Sequence, residues 1–194
     1  VDICFFGDSI TYLMEPSVYY KKFGNCINRG ICGDSVHIMN KRFEADVLQL
    51  KPRVCVMMGG INNTWCLDET VDENGNPSEE RLNTELQVVK NAYIDILERA
   101  KEQGQKMILC SVMPVTHQIA HADMRNKVVL KINAIIKELC KKYNIPYVDY
   151  HSAIACSDGL TLKDGLSDDG LHPHYKGYIE MAKVLTPVLE EAFA

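Results

Sequence analysis

Serine, histidine and aspartate, a set that can transfer an acyl group, stand in short motifs at opposite ends of this chain. Gly7-Asp8-Ser9-Ile10-Thr11 directly follows an apolar run at residues 1–6. A serine hydroxyl just past a buried strand has two readings, a nucleophile or the cap of the next helix. Near the other end lies Asp169-Gly170-Leu171-His172-Pro173. A turn can bring the Asp169 carboxylate to one imidazole nitrogen of His172 and leave the other facing a substrate, the base and its orienting acid. The same motif also reads as a charged surface loop. The adjacent Asp168 and His174 add a metal-site reading, for which further ligands are not evident.

Two further motifs offer hydrogen-bond donors. Gly33-Asp34-Ser35, within Asn28-Arg29-Gly30-Ile31-Cys32-Gly33-Asp34-Ser35, repeats the first triplet. Its glycine lets the backbone approach a ligand and present an N–H, while Asp34 or Ser35 can cap the helix that follows. Gly59-Gly60-Ile61-Asn62-Asn63 opens space beside a strand end, where an asparagine amide can meet a developing oxyanion or simply occupy a turn. Trp65 and Met113-Pro114-Val115 offer pocket walls, with local packing as the alternative for Trp65.

These motifs need a scaffold that brings them to one edge. Apolar runs at residues 1–6, 26–29, 53–58, 106–113 and 146–150 read as strands, and their lack of alternation fits strands buried on both faces of a parallel sheet. Helical periods lie between them. Leu82, Leu86, Val89, Tyr93, Ile96 and Ala100 recur at spacings of three and four, with Ser78 as N-cap and Gly104 as the stop. A second helix runs through Met124, Val128, Ile132, Ile135 and Leu139, a third through Tyr178, Ala182, Leu185 and Leu189, and a fourth over residues 34–48. Strands alternating with helices predict a doubly wound, mainly parallel five-stranded sheet covered on both faces. In such a sheet a ligand binds outside the carboxyl ends of the strands, where every motif above falls. Residues 60–77 and 156–173 read as loops.

With 194 residues, 46% hydrophobic and 24% charged, the composition suits one domain over residues 1–194. A net charge of −5 gives no basic surface for nucleic acid. No window approaches the length of a membrane span. The apolar start, without a basic flank, leaves room for a leader removed before residue 1. Eight cysteines without a C-x-x-C pair read as buried thiols of a reducing compartment such as the cytoplasm. Neither nucleotide-binding glycine motif occurs.

Taken in order, G-D-S-I, N-R-G-I-C-G-D-S, G-G-I-N and D-G-L-H-P resemble the GDSL (SGNH) hydrolase family between residues 7 and 173. The resemblance implies a flavodoxin-like, three-layer α/β/α fold and a serine esterase without metal or organic cofactor. Position by position it implies Ser9 as nucleophile, His172 as base and Asp169 as its orienting acid. It also implies an oxyanion hole from Ser9, Gly33 and Asn62. The family often has aspartate where Asn63 stands, so support behind this block is expected to differ. The expected partner is a small-molecule ester, with short acyl groups such as acetyl on a carbohydrate ahead of the long chains of lysophospholipids or of thioesters. A non-catalytic binding module on the same fold is the reading from another class, and it predicts a damaged site. The sequence leaves oligomeric state open.

Overall fold

The computed structural model describes residues 1–194. Five strands, Ile3–Gly7 (β1), Cys26–Gly30 (β2), Val54–Met58 (β3), Met107–Cys110 (β4) and Tyr147–Val148 (β5), form one sheet in the order β2-β1-β3-β4-β5. Every pairing is parallel, so the sheet is wholly rather than mainly parallel. Residues of β1, β3 and β4 are buried throughout, as their unbroken apolar runs require, whereas edge strand β2 is half-buried.

Gly7, Gly30 and Met58 end level in the register. The chain therefore leaves β1, β2 and β3 at one height. Because β2 lies to one side of β1 and β3 to the other, the connections diverge there and leave a crevice at the switch point of the fold.

Seven helices cover the sheet: Ser9–Tyr12 (α1), Pro16–Tyr20 (α2), Val36–Phe43 (α3), Glu79–Glu102 (α4), Ala122–Tyr143 (α5), Tyr150–Ile154 (α6) and Tyr175–Phe193 (α7). α3, α4 and α5 pack in a row, and α7 packs against α2 and α6, giving three layers. In α4 the Ser78 hydroxyl accepts from Arg81 N at 3.4 Å, and Gly104, at φ +65°, follows its end, matching the expected start and stop. The buried Tyr93 hydroxyl of α4 donates to Gly59 O at 2.7 Å and so pins this helix to the end of β3. No helix is long and apolar enough to cross a membrane. All eight cysteines carry free thiols, but only Cys4, Cys55, Cys110 and Cys140 are buried as expected, whereas Cys26, Cys66 and Cys156 are partly buried and Cys32, in the loop after β2, is exposed.

Four elements differ from expectation, the first being the strand expected at residues 146–150, which covers only Tyr147–Val148 because Tyr150 already begins α6. The helix expected over residues 34–48 changes pitch, because a π-helical turn occupies Glu44–Leu48 after α3. Residues 60–77 are not all loop, since Ile61–Thr70 forms three turns of 3₁₀ helix. The strand expected at residues 106–113 stops at Cys110. Beyond it, side chains of α5 replace a strand partner: Asn133 pairs with both backbone groups of Val112 at 2.7 and 2.9 Å, and Asn126 with those of Val115 at 2.8 and 3.0 Å. Met113 and Val115 are consequently core residues and not pocket walls.

Candidate active site

Asp8 decides what Ser9 is free to do. The Asp8 carboxylate caps α1, accepting from Ile10 N at 3.0 Å, so the cap is the aspartate and not the serine. Burial pushes the Asp8 carboxyl up to about 7, against the opposing pull of the Ile10 N–H and of His172. Ser9, at the first position of α1 and 7% exposed, points its hydroxyl at the loop before α7. α1 is short, and long-range bonds hold it. The Asn28 amide donates to Thr11 O at 2.6 Å and Met14 O at 2.7 Å, and Tyr178 of α7 donates to Ile10 O at 2.7 Å.

The loop before α7 brings the other two residues to Ser9. His172 Nε2 lies 2.9 Å from Ser9 Oγ, and its Nδ1 lies 2.6 Å from Asp169 Oδ2. With Nδ1–H donated to the carboxylate, the Nε2 lone pair accepts the Ser9 hydroxyl proton. Asp169 Oδ1 accepts from His172 N at 2.7 Å, Leu171 N at 2.8 Å and Ser167 Oγ at 3.0 Å. Partial burial works against ionisation of this carboxyl, but the bonds from the His172 side chain and backbone, Leu171 and Ser167 outweigh it and hold it well below the usual carboxylate range. Gly170, at φ +83°, lets the loop turn against Thr116, whose N–H donates to Gly170 O at 2.9 Å. A Cβ on Gly170 would meet Thr116 Oγ1 at 2.3 Å.

The two donor motifs reach the same edge. Gly33 sits at φ +82° with open space where a side chain would be, so backbone conformation and not crowding calls for glycine there. Asp34 fastens the loop, accepting from Arg42 Nε at 2.6 Å, while Arg42 also donates to Gly7 O at 2.8 Å and Arg29 O at 3.0 Å. One guanidinium thus joins the ends of β1 and β2 to the Gly33 loop. Asn62, the fourth residue after β3, donates from Nδ2 to Asp34 O at 3.0 Å.

Ser35 is not a side-chain cap. Its hydroxyl pairs with His37 Nδ1 at 3.0 Å, and the first N–H of α3, Val36 N, donates instead to Asn63 Oδ1 at 3.0 Å. Asn63 Nδ2 donates to the buried Glu85 carboxylate at 2.6 Å. An aspartate at position 63 would set two carboxylates against each other here, so Asn63 and Glu85 are a matched pair.

Asp168 and His174, candidates for a metal site, are not drawn into the cluster. His174 caps α7, accepting from Lys176 N at 3.2 Å, and no group of three or more His, Cys, Asp or Glu side chains converges in a ligating arrangement. Sequence reasoning missed Ser167, Arg42, Asn28 and Glu85. The S-x-D spacing of Ser167 and Asp169 carries a local signal, because such a hydroxyl can close onto the next carboxylate. The other three act across distances that no spacing reveals.

The strand order and layers class this protein as a three-layer α/β/α hydrolase of the SGNH type, with its motifs gathered at the switch point. Residues 5–178 match the model of the GDSL-like lipase/acylhydrolase family, and the chain belongs to that family of carboxylic ester hydrolases. It is 26% identical over 190 residues to an acetylxylan esterase of Xylanibacter ruminicola, covering 92% of this chain and 37% of that one. The chain therefore spans little more than a third of the length of this curated relative. Among solved structures, a GDSL-like lipase of Bacteroides thetaiotaomicron superposes with a TM-score of 0.79 at 25% identity, covering 98% of this chain and 88% of that one. An acetylxylan esterase of Geobacillus stearothermophilus shares the fold, with a TM-score of 0.73 at 19% identity over 97% of this chain and 93% of that one.

Proposed function

We propose that residues 1–194 form one catalytic domain that hydrolyses short acyl esters, such as acetylated carbohydrates, through a Ser9-His172-Asp169 triad. The observation that carries this reading is the unbroken relay from Ser9 Oγ through both His172 nitrogens to Asp169, at 2.9 and 2.6 Å. Ser9 Oγ attacks the ester carbonyl as His172 Nε2 takes its proton, and Asp169 stabilises the imidazolium. The carbonyl oxygen, now negative, is met by the Ser9 and Gly33 N–H groups and by Asn62 Nδ2. His172 returns the proton to the leaving alcohol. A water, deprotonated by the same nitrogen, then releases the acid and restores Ser9.

Two observations support a small acyl group. The acetylxylan esterase of Xylanibacter ruminicola aligns with nearly the whole of this chain. The apolar cavity beneath α1, between Ile10, Met14, Val56 and Tyr178, measures about 10 Å³, no more than a single water needs, so that cavity has no room for an acyl chain.

The test is a panel of p-nitrophenyl esters of increasing acyl length beside acetylated xylooligosaccharides, with and without EDTA. Acetyl esters are expected to show the highest kcat/KM, unchanged by the chelator, because serine, imidazole and amide donors suffice for acyl transfer. Faster decanoyl than acetyl turnover overturns the substrate class. Loss with EDTA and recovery with Zn²⁺ overturns the triad.

A further inference from the structure

Asn62 can serve an oxyanion only if its amide presents nitrogen and not oxygen, and the two faces of an asparagine amide have nearly the same shape. From the hydrogen bonds around it we infer that Trp65 is a positioning residue that holds the Asn62 amide in the donor orientation, with Arg125 bracing the indole. The inference rests on the reading of Asn62 as an oxyanion donor.

The indole Nε1–H of Trp65 donates to Asn62 Oδ1 at 3.1 Å, while Asn62 Nδ2 donates to Asp34 O at 3.0 Å. An indole nitrogen can only donate and a backbone carbonyl can only accept, so each partner independently dictates the same orientation. A half-turn of the amide would set NH₂ against the indole N–H and Oδ1 against the Asp34 carbonyl. With Oδ1 occupied and one Nδ2 hydrogen on Asp34 O, the second Nδ2 hydrogen is left for a ligand. The same bond to Asp34 couples Asn62 to the loop that carries Gly33.

Local structure explains how Trp65 reaches its target. Residues Ile61–Thr70 are 3₁₀-helical, and at three residues per turn side chains at i and i+3 eclipse, which stacks position 65 over position 62. An α-helix would rotate the two apart. Trp65 is only half-buried, and what fixes it is a cation. The Arg125 guanidinium lies 3.5 Å from the centre of the Trp65 ring. Arg125 is itself fully buried, bound to both Asp68 oxygens at 2.6 and 2.5 Å, to Thr64 Oγ1 at 3.1 Å and to Ala120 O at 2.9 Å. Asp68 and Thr64 belong to the same 3₁₀ segment, so α5 clamps that segment and its tryptophan as a unit.

Two replacements at position 65 test this. Trp65→Phe removes the N–H and keeps a ring beneath Arg125. Benzothienylalanine keeps the whole bicyclic shape with sulfur in place of N–H, and so stands even if the phenylalanine variant folds poorly. Both are expected to lower kcat for p-nitrophenyl acetate about tenfold, less than the hundredfold or more of losing the donor itself. KM, melting temperature and the number of serines titrated by a fluorophosphonate are expected to stay within about twofold or a degree or two of wild type, which a merely structural role would not spare. Asn62→Ala combined with either replacement is expected to be no slower than Asn62→Ala alone, since both changes remove the same donor. Wild-type kcat in the benzothienyl variant, or losses that multiply in the double variant, overturns the role of Trp65. A slow Asn62→Ala beside an unimpaired benzothienyl variant leaves the oxyanion reading standing and removes only this inference, whereas a fully active Asn62→Ala removes both.

Discussion

Gly-Asp-Ser occurs twice at the same edge of one sheet, after β1 and near the end of β2, and the two copies do different things. In the first, the aspartate is buried and caps α1, and the serine hydroxyl points to His172. In the second, the aspartate forms an ion pair with Arg42, and the serine hydroxyl turns to its neighbour His37. The tripeptide is the same; the partners that the rest of the fold brings to it are not. Asp8 is buried and its one hydrogen bond comes from a backbone N–H, whereas Asp34 meets a guanidinium that also ties down two strand ends. Neither serine caps its helix, so what makes Ser9 the candidate nucleophile is the His172 imidazole, itself oriented by Asp169, that the loop before α7 brings to it.

The largest expected contrast between the triplets is covalent. A fluorophosphonate is expected to label Ser9, and Ser9→Ala to lower kcat by about a million-fold, to the background left by the remaining donors. Ser35→Ala is expected to keep labelling and turnover within about twofold, since its hydroxyl reaches only the exposed His37. Recovery of the probe on a peptide containing Ser35 would reverse the assignment.

Next in size is the effect of the second aspartate. Asp34→Ala removes the acceptor of Arg42 and loosens the loop of Gly33, so kcat is expected to fall about tenfold through misplacement of a donor, with Ser9 still labelled. An unchanged kcat would mean that the Arg42 ion pair serves stability alone.

Asn63, behind the second triplet, gives a stability effect. Asn63→Asp loses the donor to Glu85 and adds a like charge, and is expected to destabilise by about 1 to 3 kcal/mol in denaturant unfolding at pH 8. Glu85→Gln in the same chain should restore much of the loss, because glutamine can donate to the new carboxylate. Additive losses in the double variant would show that the two side chains are not coupled.

The last contrast lies in the pH dependence of stability. A carboxyl raised from 3.8 to about 7 by folding binds more protons in the native than in the unfolded state between those values, so Asp8 makes stability decline as pH rises through that window. Asp169 has the opposite sign. Its folded value lies below 3.8, so its contribution is present above that pH and is lost as pH falls below it. Asp8→Asn keeps a capping side chain and is expected to flatten the decline between about pH 4 and pH 7, leaving the loss below about pH 4 in place. Chemical denaturation across pH checks both, and an unchanged slope in Asp8→Asn would place the titrating group elsewhere.

Much of this molecule was legible in its residue types because burial leaves a local mark. Unbroken runs such as Val54 to Met58 can only be buried on both faces, and the Leu82 to Ala100 period can only present one face to a sheet, so the parallel α/β/α architecture followed. Ser9, Gly33 and Asn62 were legible because each follows closely on the end of a strand, and Asp169 and His172 because two residues separate them in one short motif before the last helix. The tertiary structure alone decided how those residues are held. Arg42 joins three chain segments, Asn133 and Asn126 of α5 end β4 by bonding its continuation, and Arg125 braces a tryptophan across 60 residues of sequence. Periodicity reports which face of an element is apolar, a property of neighbours along the chain. Which donor meets which acceptor depends on the distance between segments that only packing brings together, and buried polar groups are satisfied there by whatever partner the fold supplies.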